Sequence, residues 1–82
     1  MSKRPYLESI ARNADQLGAA LLRFREQVSW TQQRVGERAG LKQATISQVE
    51  SGTTGTRLGT LFKLLAALDL ELVVRNRSKT IS

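Results

Sequence analysis

The chain has no cysteine and no histidine, and only one proline, one tryptophan, one tyrosine and two phenylalanines among its 82 residues. Without cysteine there are no disulfides and no thiolate metal sites, which fits a reducing compartment. Without histidine the commonest general base is gone too. With both missing, the usual nucleophile pairs and transition-metal ligands are lost. The seven carboxylates are scattered, and no pair sits at a suggestive spacing among apolar neighbours. Neither catalysis nor a metal or cofactor is expected. An aromatic content of 5% leaves no stacking platform for single-stranded nucleic acid. No apolar run approaches the roughly 18 to 20 residues that span a bilayer. The opening Met1-Ser2-Lys3-Arg4-Pro5-Tyr6 is basic, but no uninterrupted apolar segment follows it, so a cytoplasmic location is expected.

Positive charge is what the chain has in excess. Thirteen Lys and Arg stand against seven Asp and Glu, for a net charge of +6. A small basic domain has nucleic acid, anionic lipid or an acidic protein as its obvious partners. A chain this short makes a single domain, because one core needs most of it. At 40% hydrophobic and 24% charged it is too apolar for a disordered tail and too charged for a membrane protein.

Short helices separated by tight punctuation account for most of the chain. Asn13 can cap a helix, Gln16 can close a capping box, and Asp15 suits the positive end of the dipole. Leu17, Ala20, Leu21, Phe24 and Val28 then follow helical spacing, which predicts a first helix over about 14–27. Ser29-Trp30 breaks it, and Thr31 caps a second helix over about 32–39, with Val35 and Ala39 inward and Gly40 as its left-handed stop. Leu41 drops into the core. A third helix is predicted over about 43–50, with Ile46 and Val49 inward. The run Ser51-Gly52-Thr53-Thr54-Gly55 is a loop by composition. After Thr56 a fourth helix carries Leu58, Leu61, Phe62, Leu65 and Leu68 as its expected apolar stripe.

The period changes at the end. Leu70-Glu71-Leu72-Val73-Val74-Arg75 is rich in β-branched residues and begins by alternating, so it reads as a strand. A lone strand after four helices has no partner in its own chain, and its ladder groups must go somewhere. The same strand of a second copy would satisfy them across a two-fold axis, through Leu70, Leu72, Val73 and Val74. A fourth helix that runs on, or a frayed tail, is the plainer alternative. The expected organisation is an N-terminal arm or short extra helix over 1–12, a DNA-binding domain over 13–69, a dimerisation strand over 70–75 and a flexible basic tail over 76–82.

Two short helices joined by Gly40-Leu41-Lys42 make a helix-turn-helix. Ala39 is small enough for the helices to approach, and Gly40 takes the positive φ of the turn. With Ile46 and Val49 inward, 100° per residue puts Ala44, Ser47 and Gln48 on the opposite face of the third helix. Lys42 and Gln43 project from its leading end. That face is polar, without a bulky apolar side chain or an acid, and suits a major groove.

These residues resemble the Cro/C1 (XRE) helix-turn-helix repressor family. The likeness lies in Thr31-Gln32, Ala39-Gly40-Leu41, Gln43, Thr45-Ile46-Ser47, Glu50 and Gly52, and spans roughly residues 14–69. Gln16-Leu17-Gly18, Trp30-Thr31-Gln32, Lys42-Gln43-Ala44-Thr45-Ile46-Ser47 and Ala66-Ala67-Leu68-Asp69-Leu70-Glu71-Leu72 are similar, within that family, to HipB-type antitoxins. The resemblance implies an all-α, lambda-repressor-like domain of four or five helices, with a C-terminal strand paired across a homodimer. It also implies repression of the protein's own operon and a HipA-type kinase toxin as partner. Arg25 and Glu50 match a structural ion pair, and Gln32 matches a residue that holds a phosphate and braces Gln43. One departure is Arg34-Val35-Gly36, where a mid-helix glycine is expected to cost up to about 1 kcal/mol.

Lys42, Gln43, Ala44, Ser47 and Gln48 are the expected base contacts: Gln43 to adenine or guanine, Ala44 to a thymine methyl. Thr31, Gln32, Thr45 and Arg57 are the expected phosphate contacts, which position the protein without specifying sequence. Arg12, Arg34, Arg38 and Lys63 read as general surface charge, Glu8, Glu26 and Glu37 as solvated acids, and Trp30 as a packing residue at a helix corner. The expected partner is palindromic double-stranded operator DNA, with nucleoid association when bound. Two other functions fit the same scaffold: a free-standing phage-type or metabolic repressor without a toxin, and a protein-bridging coregulator that does not read DNA.

Overall fold

The computed structural model describes residues 8–77. The expectations for residues 1–7 of the N-terminal arm and 78–82 of the tail lie outside them. Four helices follow in order: α1 (Ala14–Gln27), α2 (Gln32–Ala39), α3 (Gln43–Glu50) and α4 (Leu58–Ala67). The first three have the bounds that periodicity and caps predict. At the start of α1 the Asn13 side chain accepts from the Gln16 N–H at 2.8 Å, and the Gln16 side chain accepts from the Arg12 N–H at 2.7 Å. Thr31 caps α2 by accepting from the Arg34 N–H at 3.0 Å.

All four helices end by one device. In each, a residue just past the end takes a left-handed conformation: Ser29 (φ 59°), Gly40 (φ 70°), Gly52 (φ 85°) and Asp69 (φ 58°). Two back-directed hydrogen bonds close each end, as in Leu41 N–H to Gly36 O at 2.8 Å and Leu70 N–H to Leu65 O at 2.8 Å. At three of the ends the next residue is apolar. Trp30, Leu41 and Leu70 are each thereby turned back to pack on the core. The turn at Asp69 stops α4, so the alternative of a fourth helix that runs on does not hold.

The helices pack in a chain, α1 on α3, α3 on α2 and α2 on α4. Leu21, Val35, Ile46, Val49, Leu64, Leu65, Ala67 and Leu68 form the core between them. Of the stripe expected on α4, Leu65 and Leu68 are in the core and Leu61 packs against it. Leu64 is 1% exposed and belongs to the core, whereas Leu58 and Phe62 are 62% and 47% exposed. At 100° per residue Phe62 lies roughly 120° or more around the helix from Leu64 and Leu68, whereas Leu58 shares the side of Leu65 but stands at the first residue of α4.

Gly36 also differs from expectation. A Cβ there would stand 2.6 Å from the Leu41 carbonyl oxygen, so glycine is what lets the turn fold back against α2. Among the described residues there is no strand. Leu70 packs on the core, while Leu72, Val73 and Val74 are exposed, and a single chain offers them no ladder partner.

Candidate nucleic-acid interface

The interface is organised by one part-buried ion pair. Arg25 leaves α1 and meets Glu50 at the end of α3, with Nε donating to Oε2 at 2.6 Å and Nη2 to Oε1 at 3.0 Å. This is the bidentate fork that a guanidinium makes with a carboxylate. The two side chains are only 12% and 6% exposed. The third arm of the guanidinium, Nη1, donates to the Trp30 carbonyl at 2.7 Å and ties the α1–α2 corner to the pair. The hydrogen bond to Glu50 raises the Arg25 pKa against the lowering effect of burial, and the charge of Glu50 raises it further. A raised pKa on a base contributes stability that is lost only above the folded value, so this contribution persists at any working pH.

Glu50 accepts a third hydrogen bond. Gln32, the first residue of α2, donates Nε2 to Glu50 Oε1 at 2.9 Å, and its Oε1 lies 3.5 Å from Gln43 Nε2, a long and weak contact. The network therefore joins α1, α2 and α3 where the two helix N-termini meet. The Gln32–Glu50 bond is a feature that sequence reasoning missed. It occupies the Gln32 side-chain donor and leaves its backbone N–H, at the positive end of α2, free to face an anion. Thr31 likewise uses its oxygen as a cap and keeps its hydroxyl proton to donate.

Ile46 and Val49 are buried, and Lys42, Gln43, Ala44, Ser47 and Gln48 are all exposed, so the five expected base contacts share the outer side and leading end of α3. Lys42 and Arg57 precede α3 and α4, are exposed, and make no ion pair among the described residues. Thr45 and Gln32 are half-buried, and Thr31 and Arg57 are exposed.

A helix-turn-helix family model matches residues 21–74, two thirds of the sequence and all of this interface. The chain belongs to the helix-turn-helix family. Among curated relatives, this helix-turn-helix protein is 41% identical over 59 residues to Antitoxin HipB of Escherichia coli (strain K12). That match covers 72% of this chain and 67% of the relative. Among solved structures it is similar to a chain of the HipA-HipB-O2-O3 complex, with a TM-score of 0.80 at 34% identity over 87% of this chain and 100% of the other. A HipB-O4 20mer complex gives a TM-score of 0.81 at the same identity and coverage. The restriction-modification controller protein C.AhdI from Aeromonas hydrophila is more distant, with a TM-score of 0.67 at 28% identity over 71% of this chain and 88% of that one. Among the described residues no helix is long and apolar enough to cross a membrane.

Proposed function

We propose that this protein is a sequence-specific repressor of double-stranded DNA and the antitoxin of a HipBA-like operon, acting as a homodimer in the cytoplasm and not as an enzyme. The observation that carries the reading is the exposed face of α3, held against α1 and α2 by the Arg25–Glu50–Gln32 network. Lys42, Gln43, Ala44, Ser47 and Gln48 would read base edges, while Thr31, Gln32, Thr45 and Arg57 would meet phosphates. The HipB relatives support a duplex partner and a HipA-type kinase partner.

The dimer rests on what the monomer leaves uncovered. Leu58 and Phe62 of α4 and the segment Leu72, Val73 and Val74 are large apolar side chains without cover in one chain. A second copy would cover them and give the C-terminal segment a strand to pair with across the two-fold axis. Two copies of α3 would then enter successive major grooves about 34 Å apart and require a palindromic site.

A gel-shift titration against the protein's own upstream DNA, with random duplex as competitor at physiological salt, tests the reading. Binding at least about a thousandfold tighter to the upstream DNA, with two protomers per half-site pair, is expected. Equal and weak binding to both duplexes would overturn it in favour of a coregulator that only bridges proteins.

A further inference from the structure

Arg34 and Arg38, expected to be plain surface charge, are placed more particularly. Each guanidinium carbon lies 4.9 Å from the centroid of the Trp30 ring. They are one helical turn apart, so the indole holds two cations side by side on one edge of α2. Neither has a carboxylate within ion-pairing distance among the described residues. Trp30 and Arg38 also border a cleft of about 300 Å³ whose remaining wall is Val28, Ala66, Ala67, Leu68 and Asp69.

This face points away from α3. Gly36 and Gln32 are the α2 residues that touch the α3 side, through the Leu41 carbonyl and Gln43. At 100° per residue, Arg34 lies roughly 160° around the helix from each of them, on the opposite side. The two guanidiniums therefore stand off the surface assigned to bases. Both are exposed, and together they present a paired positive charge to an approaching carboxylate.

We propose that the Trp30–Arg34–Arg38 edge and its cleft form a second docking surface, for an acidic segment of a protein partner. A partner carboxylate would lie against the two guanidiniums, and an adjacent apolar side chain would enter the cleft between Val28, Ala66 and Leu68. Asp69 and the carbonyl end of α4 at the far rim set the polarity, so the carboxylate sits at the arginine end and backbone N–H donors at the other. The site serves a protein and not DNA, and it leaves α3 free while occupied.

Trp30 is the chain's single tryptophan, so its indole N–H resonance reports on this site alone. The full-length protein is titrated with the peptide acetyl-Leu-Glu-Leu-Glu-amide and, separately, with its Leu-Lys-Leu-Lys counterpart. The acidic peptide is expected to shift the resonance saturably in the millimolar range, and the basic one to leave it still. The shift should vanish in Arg34→Gln/Arg38→Gln. In that variant the slope of log affinity for upstream DNA against log salt should stay at its wild-type value.

No shift up to 10 mM, on the order of the weakest specific contacts, or equal shifts with both peptides, would overturn the proposal. A salt slope that falls by about one per arginine removed would also overturn it, by assigning these groups to phosphates. The titration needs no DNA, so a protein that shifts its resonance but ignores its upstream DNA would sink the repressor reading alone.

Discussion

Glu50 shows at the residue scale how position and role part company. It closes the recognition helix, yet its two oxygens are taken by Arg25 and Gln32, and it is half-buried. Glu50→Ala would leave the half-buried Arg25 guanidinium with only the Trp30 carbonyl as partner, and a loss of about 1 to 3 kcal/mol is expected in chemical denaturation. Gln43 is the contrasting case, exposed and tied only by a weak contact. Gln43→Ala should leave stability nearly unchanged, cost roughly 1 to 3 kcal/mol of operator binding and relax specificity at one position per half-site. Arg57→Ala should instead weaken all sequences alike and lower the salt slope by about 1. Identical behaviour of these two variants in competition gel shifts would refute the division between reading and positioning.

The helix ends carry the lesson at the scale of elements. Two of the four left-handed residues are glycines, Gly40 and Gly52, and their helix stops are legible in the sequence. The other two, Ser29 and Asp69, carry a Cβ that disfavours the conformation, and nothing local announces them. Ser29→Gly should therefore stabilise the fold by about 1 kcal/mol, seen as a raised Tm. Gly36 has the opposite sign to the one helix propensity predicts. Gly36→Ala would ordinarily gain up to about 1 kcal/mol inside a helix. Here the Cβ would press on the Leu41 carbonyl, and a net loss of about 1 to 3 kcal/mol is expected, with weaker operator binding because the turn carries α3.

At the scale of the whole molecule, a single chain leaves Leu58, Phe62 and the segment from Leu72 to Val74 exposed. Phe62 is half-exposed in the single chain, so Phe62→Glu should leave the monomer folded and move sedimentation equilibrium from dimer toward monomer. Operator binding should become more steeply dependent on protein concentration as well. An unchanged dimer would show that the two-fold contact lies elsewhere. The molecule so described has distinct faces: α3 for the groove, the outer side of α4 for a second copy, and the Trp30 edge for an acidic partner.

Periodicity and capping chemistry determined, from the sequence alone, the bounds of α1, α2 and α3, the inward places of Val35, Ile46 and Val49, and the polar outer face of α3. These are local properties, set by 3.6-residue spacing and by side chains that bond their own backbone. The tertiary structure decided how far the buried side of α4 extends, taking in Leu64 beside Leu65 and Leu68 and leaving Leu58 and Phe62 exposed. It also decided the need for glycine at position 36, the third bond to Glu50 and the pairing of Arg34 and Arg38 on Trp30. Each depends on a distance between groups that the chain brings together only by folding, and no spacing in the sequence encodes it.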